Sequence, residues 1–392
     1  MPTVADLTAA MESIAPLSTA EEWDRVGLHV GLPERELAGP VYLTIDLTEP
    51  VVVEAVEAGA SAIVSYHPPI WQPLTRLTER TPAERVVRRA IEHRIAIYSP
   101  HTALDAAAGG VTDWLCEGIA GLSDGESGLS QLAGDCRALI PAPAPASEDV
   151  KLVVFVPADH IEKVRNALAT AGAGVIGNYR VCSFSQPGEG TFLPGDEANP
   201  AVGARGQLER VAEHRMEMVC TRSSLPLAIE TLRQFHPYEE PALDVYELAP
   251  VPQRTVGAGR KLVLDRPLTM AQAGRRLAEM LGRARMKYAL PHGASDTPVH
   301  RFAVVPGAGA AMIDQAAAQG CEAFVTGEMK HHDVLAAQAL GLRVLLAGHT
   351  NTERGYLPRL ASALQMRLPH ISIEISRADA DPLRVLDQSS GG

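Results

Sequence analysis

The apolar residues of this chain fall into short runs, each separated from the next by a stretch with helical spacing. That alternation constrains the fold more than any other feature. VYLTID (41–46), SAIVSY (61–66) and RIAIY (94–98) read as strands, and residues 49–58, 82–93 and about 110–120 as helices between and after them. An amphipathic helix over 3–15 opens at Thr3 and carries Val4, Leu7, Met11 and Ile14 on one face. Strands alternating with helices of this length build β-α-β units around a mostly parallel sheet. Ligands gather beyond the carboxyl ends of the strands in such sheets. Here those ends carry Asp46, Tyr66-His67 and the run from His101 to Asp105.

The pattern breaks in the middle of the chain. Residues 122–149, rich in Gly, Ser, Pro and acids, read as a linker. A β-α-β-β-α-β order follows over about 150–252, the order of a small ferredoxin-like unit. Alternating α/β signals return over 255–382, and the tail DQSSGG reads as frayed. The chain thus reads as α/β over 1–130, an α+β ferredoxin-like unit over 150–252 and α/β again over 255–382.

Charge and cysteine usage exclude several classes. A net charge of −12 over 392 residues disfavours a general nucleic-acid binder, which needs a basic surface. No apolar stretch is long enough to span a membrane, and the acid-containing N-terminus does not read as a signal peptide. Five dispersed cysteines without a CxxC pair read as reduced thiols in a cytoplasmic protein and argue against a cysteine metal cage. No serine-nucleophile elbow is present. Residues 254–301 are locally basic, which suits either an anionic ligand or a solvated basic helix face, the second being preferred. Pro306-Gly307-Ala308-Gly309 follows a strand and precedes a helix. It lacks the full phosphate-binding glycine pattern and reads as a tight turn.

The chemistry concentrates in His and carboxylate residues at strand ends: His67, Asp105 with His101 four residues before it, and His349 with Glu353. The i, i+4 spacing of the last pair at a helix start brings imidazole and carboxylate near one point. Such groups are the ligands that Zn, Mn and Fe accept. Each also has a structural reading: Asp105 as a cap, Glu353 as a first-turn dipole partner. From spacing alone the two readings weigh about equally. Glu328, His331 and His332 follow another apolar run. They serve either as ligands and proton carriers or as a polar helix start.

EEWDRVGLHVG (21–31), SYHPPIW (65–71), IYSPHTALDAAAGGVTDWL (97–115), TGEMKHHD (326–333) and GHTNTERGYL (348–357) together resemble the GTP cyclohydrolase I type 2 homologues, also called NIF-three-like dinuclear-metal proteins. The resemblance implies a two-lobed α/β core (1–130 and 255–382) with an α+β domain inserted at 150–252, up to two divalent ions (Zn, Mn or Fe) between the lobes, and a homohexameric ring. It implies His67, Asp105, His349 and Glu353 as ligands. The first His of the family's His-His-Pro motif is Tyr66 here, so the two ion positions are expected to be unequal, with a firm ion near His67 and Asp105 and a weaker one at His349 and Glu353. Tyr66 then either donates a hydrogen bond at the site or packs beneath the loop; with His101, Glu328 and His332 it completes the candidate catalytic set. The inserted segment, with FHPYEEPA at 235–242, resembles the PII-like module of some members. Two functions follow as expectations: a metal-dependent hydrolase acting on a small, nucleotide-like substrate, or a non-enzymatic metal-binding or regulatory hexamer.

Overall fold

The computed structural model describes residues 1–124, 130–143, 149–249, 252–282 and 286–383. The chain divides into two compact units, one formed by Met1–Ala142 with Gln253–Gly392 and the other by Pro143–Pro252.

The larger unit holds two main sheets. In the first, Val41–Thr44, Ala62–Ser65 and Ala96–Ser99 run parallel, with Leu43 opposite Val64 and Val64 opposite Tyr98. All three strands are buried throughout, which is why they read as unbroken apolar runs. Gly27–Val30 adds antiparallel to Ala96–Ser99 at one edge. Ile373–Ile375, from near the end of the chain, adds parallel to Val41–Thr44 at the other. The helix Val4–Ile14 begins with a reciprocal cap between Thr3 and Asp6 and buries Val4, Leu7 and Met11 against the sheet's core. The helix Glu49–Glu57 has Pro50 in its first turn, where the missing N–H costs nothing.

The second sheet runs in the order Lys287–Ala289, Arg343–Leu346, Ala323–Thr326, Val299–Val304, Pro252–Leu268, Gly134–Pro143. Val299–Val304, Ala323–Thr326 and Arg343–Leu346 are its parallel centre. Two expectations fail here. Residues 134–143 are not linker but an edge strand of this sheet, and Leu139 from it lies in an apolar core with Phe324 and Val344. The basic stretch after 254 is not one solvated helix face, because Pro252–Leu268 is a strand and Met270–Met280 a helix. Arg260 is fully buried: it donates to the carbonyls of Gly257, Gly259, Ala106 and Ala107 at 2.7–3.1 Å and pairs with Asp113. It thereby anchors the short helix His101–Ala106 that presents Asp105. Parts of the expected linker (125–129 and 144–148) and the terminal DQSSGG lie outside the described residues.

The smaller unit runs Val150–Pro157, Ile161–Thr170, Phe184–Phe192, Glu209–Cys220, Leu225–Phe235, Leu243–Glu247: strand, helix, two strands, helix, strand. Its sheet is antiparallel, with Leu243–Glu247 and Glu209–Cys220 flanking Val150–Pro157, and Phe184–Phe192 outside Glu209–Cys220. Val164, Leu168, Ala228 and Leu232 from the helices cover one face and bury Leu152, Val154 and Met218. The second strand begins at Phe184 and pairs with Glu209–Cys220 along its whole length.

Candidate metal centre

Both sheets of the larger unit end at one cavity of about 730 Å³. From the first come Tyr66 and His67, just beyond Ala62–Ser65, and His101 and Asp105, beyond Ala96–Ser99. From the second come the turn at Gly307, beyond Val299–Val304, and His349 with Glu353, beyond Arg343–Leu346. This is the strand-end location expected of a ligand site in parallel sheets.

Three groups converge. One ligating atom from each of His67, His349 and Glu353 lies within 4.8 Å of the other two. Each Glu353 oxygen addresses a different imidazole: Oε2 stands 3.6 Å from His67 Nε2, and Oε1 stands 3.4 Å from His349 Nε2. The far nitrogens are held from behind by other carboxylates. His67 Nδ1 lies 2.8 Å from Asp46 Oδ1, and His349 Nδ1 lies 2.9 Å from Glu328 Oε1. A carboxylate on one imidazole nitrogen fixes the ring and raises the basicity of the other, the usual support for a metal-ligating histidine. Asp46 itself is kept below the usual carboxylate range: burial opposes this, but the bond from His67 and the nearby Arg354 outweigh it.

The chain packs closely against the carboxylate on the side of Gly307. Gly307 has φ of +59°, and a Cβ there would lie 2.8 Å from Glu353 Oε1 and 3.2 Å from His349 Nε2. Its N–H is taken by Thr352 Oγ1 at 2.9 Å, and that of Gly309 by Thr326 Oγ1 at 3.0 Å. With those two amides satisfied internally, the glycine segment serves as the expected tight turn.

Asp105 borders the same cavity but stands outside the close cluster. Its Oδ1 accepts a 2.6 Å hydrogen bond from the Tyr66 hydroxyl. Burial raises the Asp105 carboxyl well above its ordinary range, with the Glu353 charge adding to the rise, even though the Tyr66 bond opposes it. Tyr66 is 3% exposed, and burial together with the charges of Asp105 and Glu353 pushes its phenol far up, so it remains a neutral donor. His67 shows the opposite balance. Burial would lower it, but the bond to Asp46 and the charge of Glu353 raise it to about 10.

His101 is seated by Asp24, a residue the sequence reading had not singled out. Asp24 Oδ1 lies 2.7 Å from His101 Nδ1, and its Oδ2 accepts from the Thr102 backbone at 3.1 Å and from the Thr102 hydroxyl at 2.5 Å. Only the motif at 21–31 signalled it. Glu328 sits behind His349 rather than in the cavity lining, and His332 is exposed at the start of the helix His331–Ala339, away from the cavity. His332 thus follows the polar helix-start reading. The cavity mouth carries Trp23 and Trp71, unusually open for Trp at 54% and 46% exposure, with ring centroids 5.8 Å apart.

The residues fit a divalent ion. Glu353 is 2% exposed and its Oε2 has no hydrogen-bond partner, which is costly for a buried carboxylate unless a cation completes it. Two imidazole nitrogens and a carboxylate form a donor set suited to Zn, Mn or Fe.

An α/β protein with a His-His-Glu cluster at the junction of two sheets is the class so defined. The chain belongs to the family described as Duf34/NIF3 (NGG1p interacting factor 3), whose model matches residues 2–382. It is 34% identical to the GTP cyclohydrolase 1 type 2 homolog of Bacillus subtilis over 378 residues, 96% of each chain. It is also 34% identical to the NIF3-like protein 1 of Rattus norvegicus over 388 residues, 97% of this chain and 92% of that one. Among solved structures, a Bacillus cereus protein related to NIF3 superposes with a TM-score of 0.70 at 34% identity, over 98% of this chain and 99% of that one. A Staphylococcus aureus protein superposes at 0.76 with 26% identity, over the same shares. No helix among the described residues is long and apolar enough to cross a membrane.

Proposed function

We propose that the chain is a divalent-metal protein in which His67, His349 and Glu353 hold the ion. The observation that carries this is the buried Glu353 carboxylate, each oxygen facing a different imidazole and Oε2 without a hydrogen-bond partner. Its two oxygens suit a bridging role, so a second ion is part of the reading, with Asp105 as the further ligand. The Tyr66 hydroxyl competes for Asp105, which makes that position the weaker one, the reverse of the order expected from the sequence. A divalent ion supplies Lewis acidity, acidifying water and polarising an electrophile.

The activity we infer is hydrolysis of a small nucleotide-like molecule. The chain's own residues supply the binding and proton-handling parts. Trp23 and Trp71 offer aromatic faces at the mouth for a planar base. His101, with Nδ1 engaged by Asp24, can carry a proton at Nε2. Tyr66 orients Asp105 and shields it from water. The β-α-β-β-α-β unit at 143–252 we read as the PII-like module, in a cytoplasmic homohexamer.

The test is anaerobic purification, metal analysis and a turnover screen on one sample, using nucleotides and phosphoesters. Metal content with hydrolysis that disappears in His349→Ala supports the reading. Stoichiometric metal with no turnover on the whole panel favours a metal-binding or regulatory role instead. A protein without bound metal after reconstitution overturns both.

A further inference from the structure

The smaller unit contains a cavity of about 560 Å³ that the metal centre does not use. At its wall lies Glu213, on the strand Glu209–Cys220. Glu213 is 9% exposed, and the polar group beside its carboxylate is the neutral Tyr238 hydroxyl rather than a cation. It has room only because residue 190 on the neighbouring strand is Gly: a Cβ there would stand 2.1 Å from Glu213 Oε2. The Tyr238 hydroxyl is buried and has no further partner among the described residues.

Three aromatic side chains, Phe155, Phe192 and Tyr238, share the lining, the last two with ring centroids 6.0 Å apart. The remaining charged groups of the lining are Glu189, Glu239 and Glu240; no Lys, Arg or His contributes. A carboxylate withdrawn from water is costly without a cation beside it. Aromatic faces attract the same sign of charge. A bare metal ion is a poor match, since among the described residues only His67, His349 and Glu353 gather as a group of three close ligands. An anion is a worse one, with no cationic side chain in the lining to receive it. The size is that of a small-molecule pocket.

We propose that this cavity is a binding site for an organic ammonium ion, with the ammonium group on Glu213 and the carbon skeleton against Phe155, Phe192 and Tyr238. Glu239 and Glu240, both exposed in the lining, suit a second amino group, so diamines bind more tightly than monoamines. The site is independent of the metal centre and of any reaction there.

The experiment uses the full chain and isothermal titration with butylammonium, butane-1,4-diammonium, neutral butanol and Mn²⁺. The two ammonium ions are expected to bind saturably, the diammonium more tightly, and butanol not at all. Glu213→Gln keeps the shape and removes the charge. Losing a charge-assisted hydrogen bond predicts at least about tenfold weaker binding. Its thermal unfolding without ligand should match or exceed that of the unmodified protein, which separates lost binding from misfolding. Glu240→Gln, on the exposed rim, should narrow the gap between diammonium and monoammonium. Absence of saturable ammonium binding, binding undiminished in Glu213→Gln, or Mn²⁺ displacing the ammonium ion would each overturn the proposal.

Discussion

Replacing Glu353 by Gln tests the metal centre most directly, because it keeps the side chain's shape and removes one charge from a group only 2% exposed. With an ion at one hundred times its dissociation constant, the bound state gains about 2.7 kcal/mol of stability by mass action. If losing the carboxylate weakens binding about a hundredfold, the same ion concentration adds only about 0.4 kcal/mol. The lost increment of about 2 kcal/mol corresponds to roughly 4–9 °C in unfolding temperature for a unit of this size. In the metal-free protein the charge removed is the one that faces protonated His67, so the variant is compared with its own metal-free baseline. The assay is thermal unfolding with and without Mn²⁺ or Zn²⁺, alongside metal content after dialysis. Removing this charge also takes away one of the two groups that raise His67, so the His67 imidazole should titrate lower in the variant. The reasoning fails if Glu353→Gln keeps both the wild-type metal content and the full metal-induced rise in unfolding temperature.

Four further outcomes follow from the same geometry. Gly307→Ala should lose metal while remaining folded, because its methyl group would press on Glu353 and His349, and the left-handed backbone adds about 1–2 kcal/mol of strain; unchanged metal content would contradict this. Metal-free His67 holds its proton up to about pH 10, and an ion must displace it, so affinity should rise with pH towards that value. Titration at pH 8 in buffers of different ionisation enthalpy should accordingly show about one proton released per ion from this group. Tyr66→His frees Asp105 and adds a nitrogen donor, so metal content should rise towards two per chain; two equally tight ions in the unmodified protein would refute the inequality of the sites. Arg260→Met leaves Asp113 without its buried partner and four carbonyls without their donor, at about 3–5 kcal/mol, read by chemical denaturation.

Much of this was legible before any coordinates. A buried parallel strand announces itself by a continuous apolar run, and its carboxyl end is then a predictable place for a ligand. His67, His349 and Asp105 follow from that rule, and Glu353 from helical spacing to His349. These are local properties: side-chain period, strand length and the four-residue step of a helix act over a few neighbours, and the sequence carries them directly.

What needed the tertiary structure is non-local. Whether Glu353 is a first-turn helix acid or a buried carboxylate between two imidazoles depends on His67, 286 positions away, being brought to its other oxygen. Asp24 reaches His101 across 77 positions, and Tyr66 takes hold of Asp105 across 39. Strand membership was equally hidden at the edges. Residues 134–143 look like linker because an edge strand need not be apolar on both faces. Ile373–Ile375 joins the first sheet through backbone pairing that any side chains permit. Arg260 and Lys261 look like surface charge in a basic stretch. The fold buries them because the guanidinium finds a carboxylate and four carbonyls, and the ammonium finds the Gln319 carbonyl. The sequence by itself determined which residue types stand at which strand ends. Only packing determined which of them share a desolvated space, and there an unpaired carboxylate changes from a solvated group into one that needs a cation.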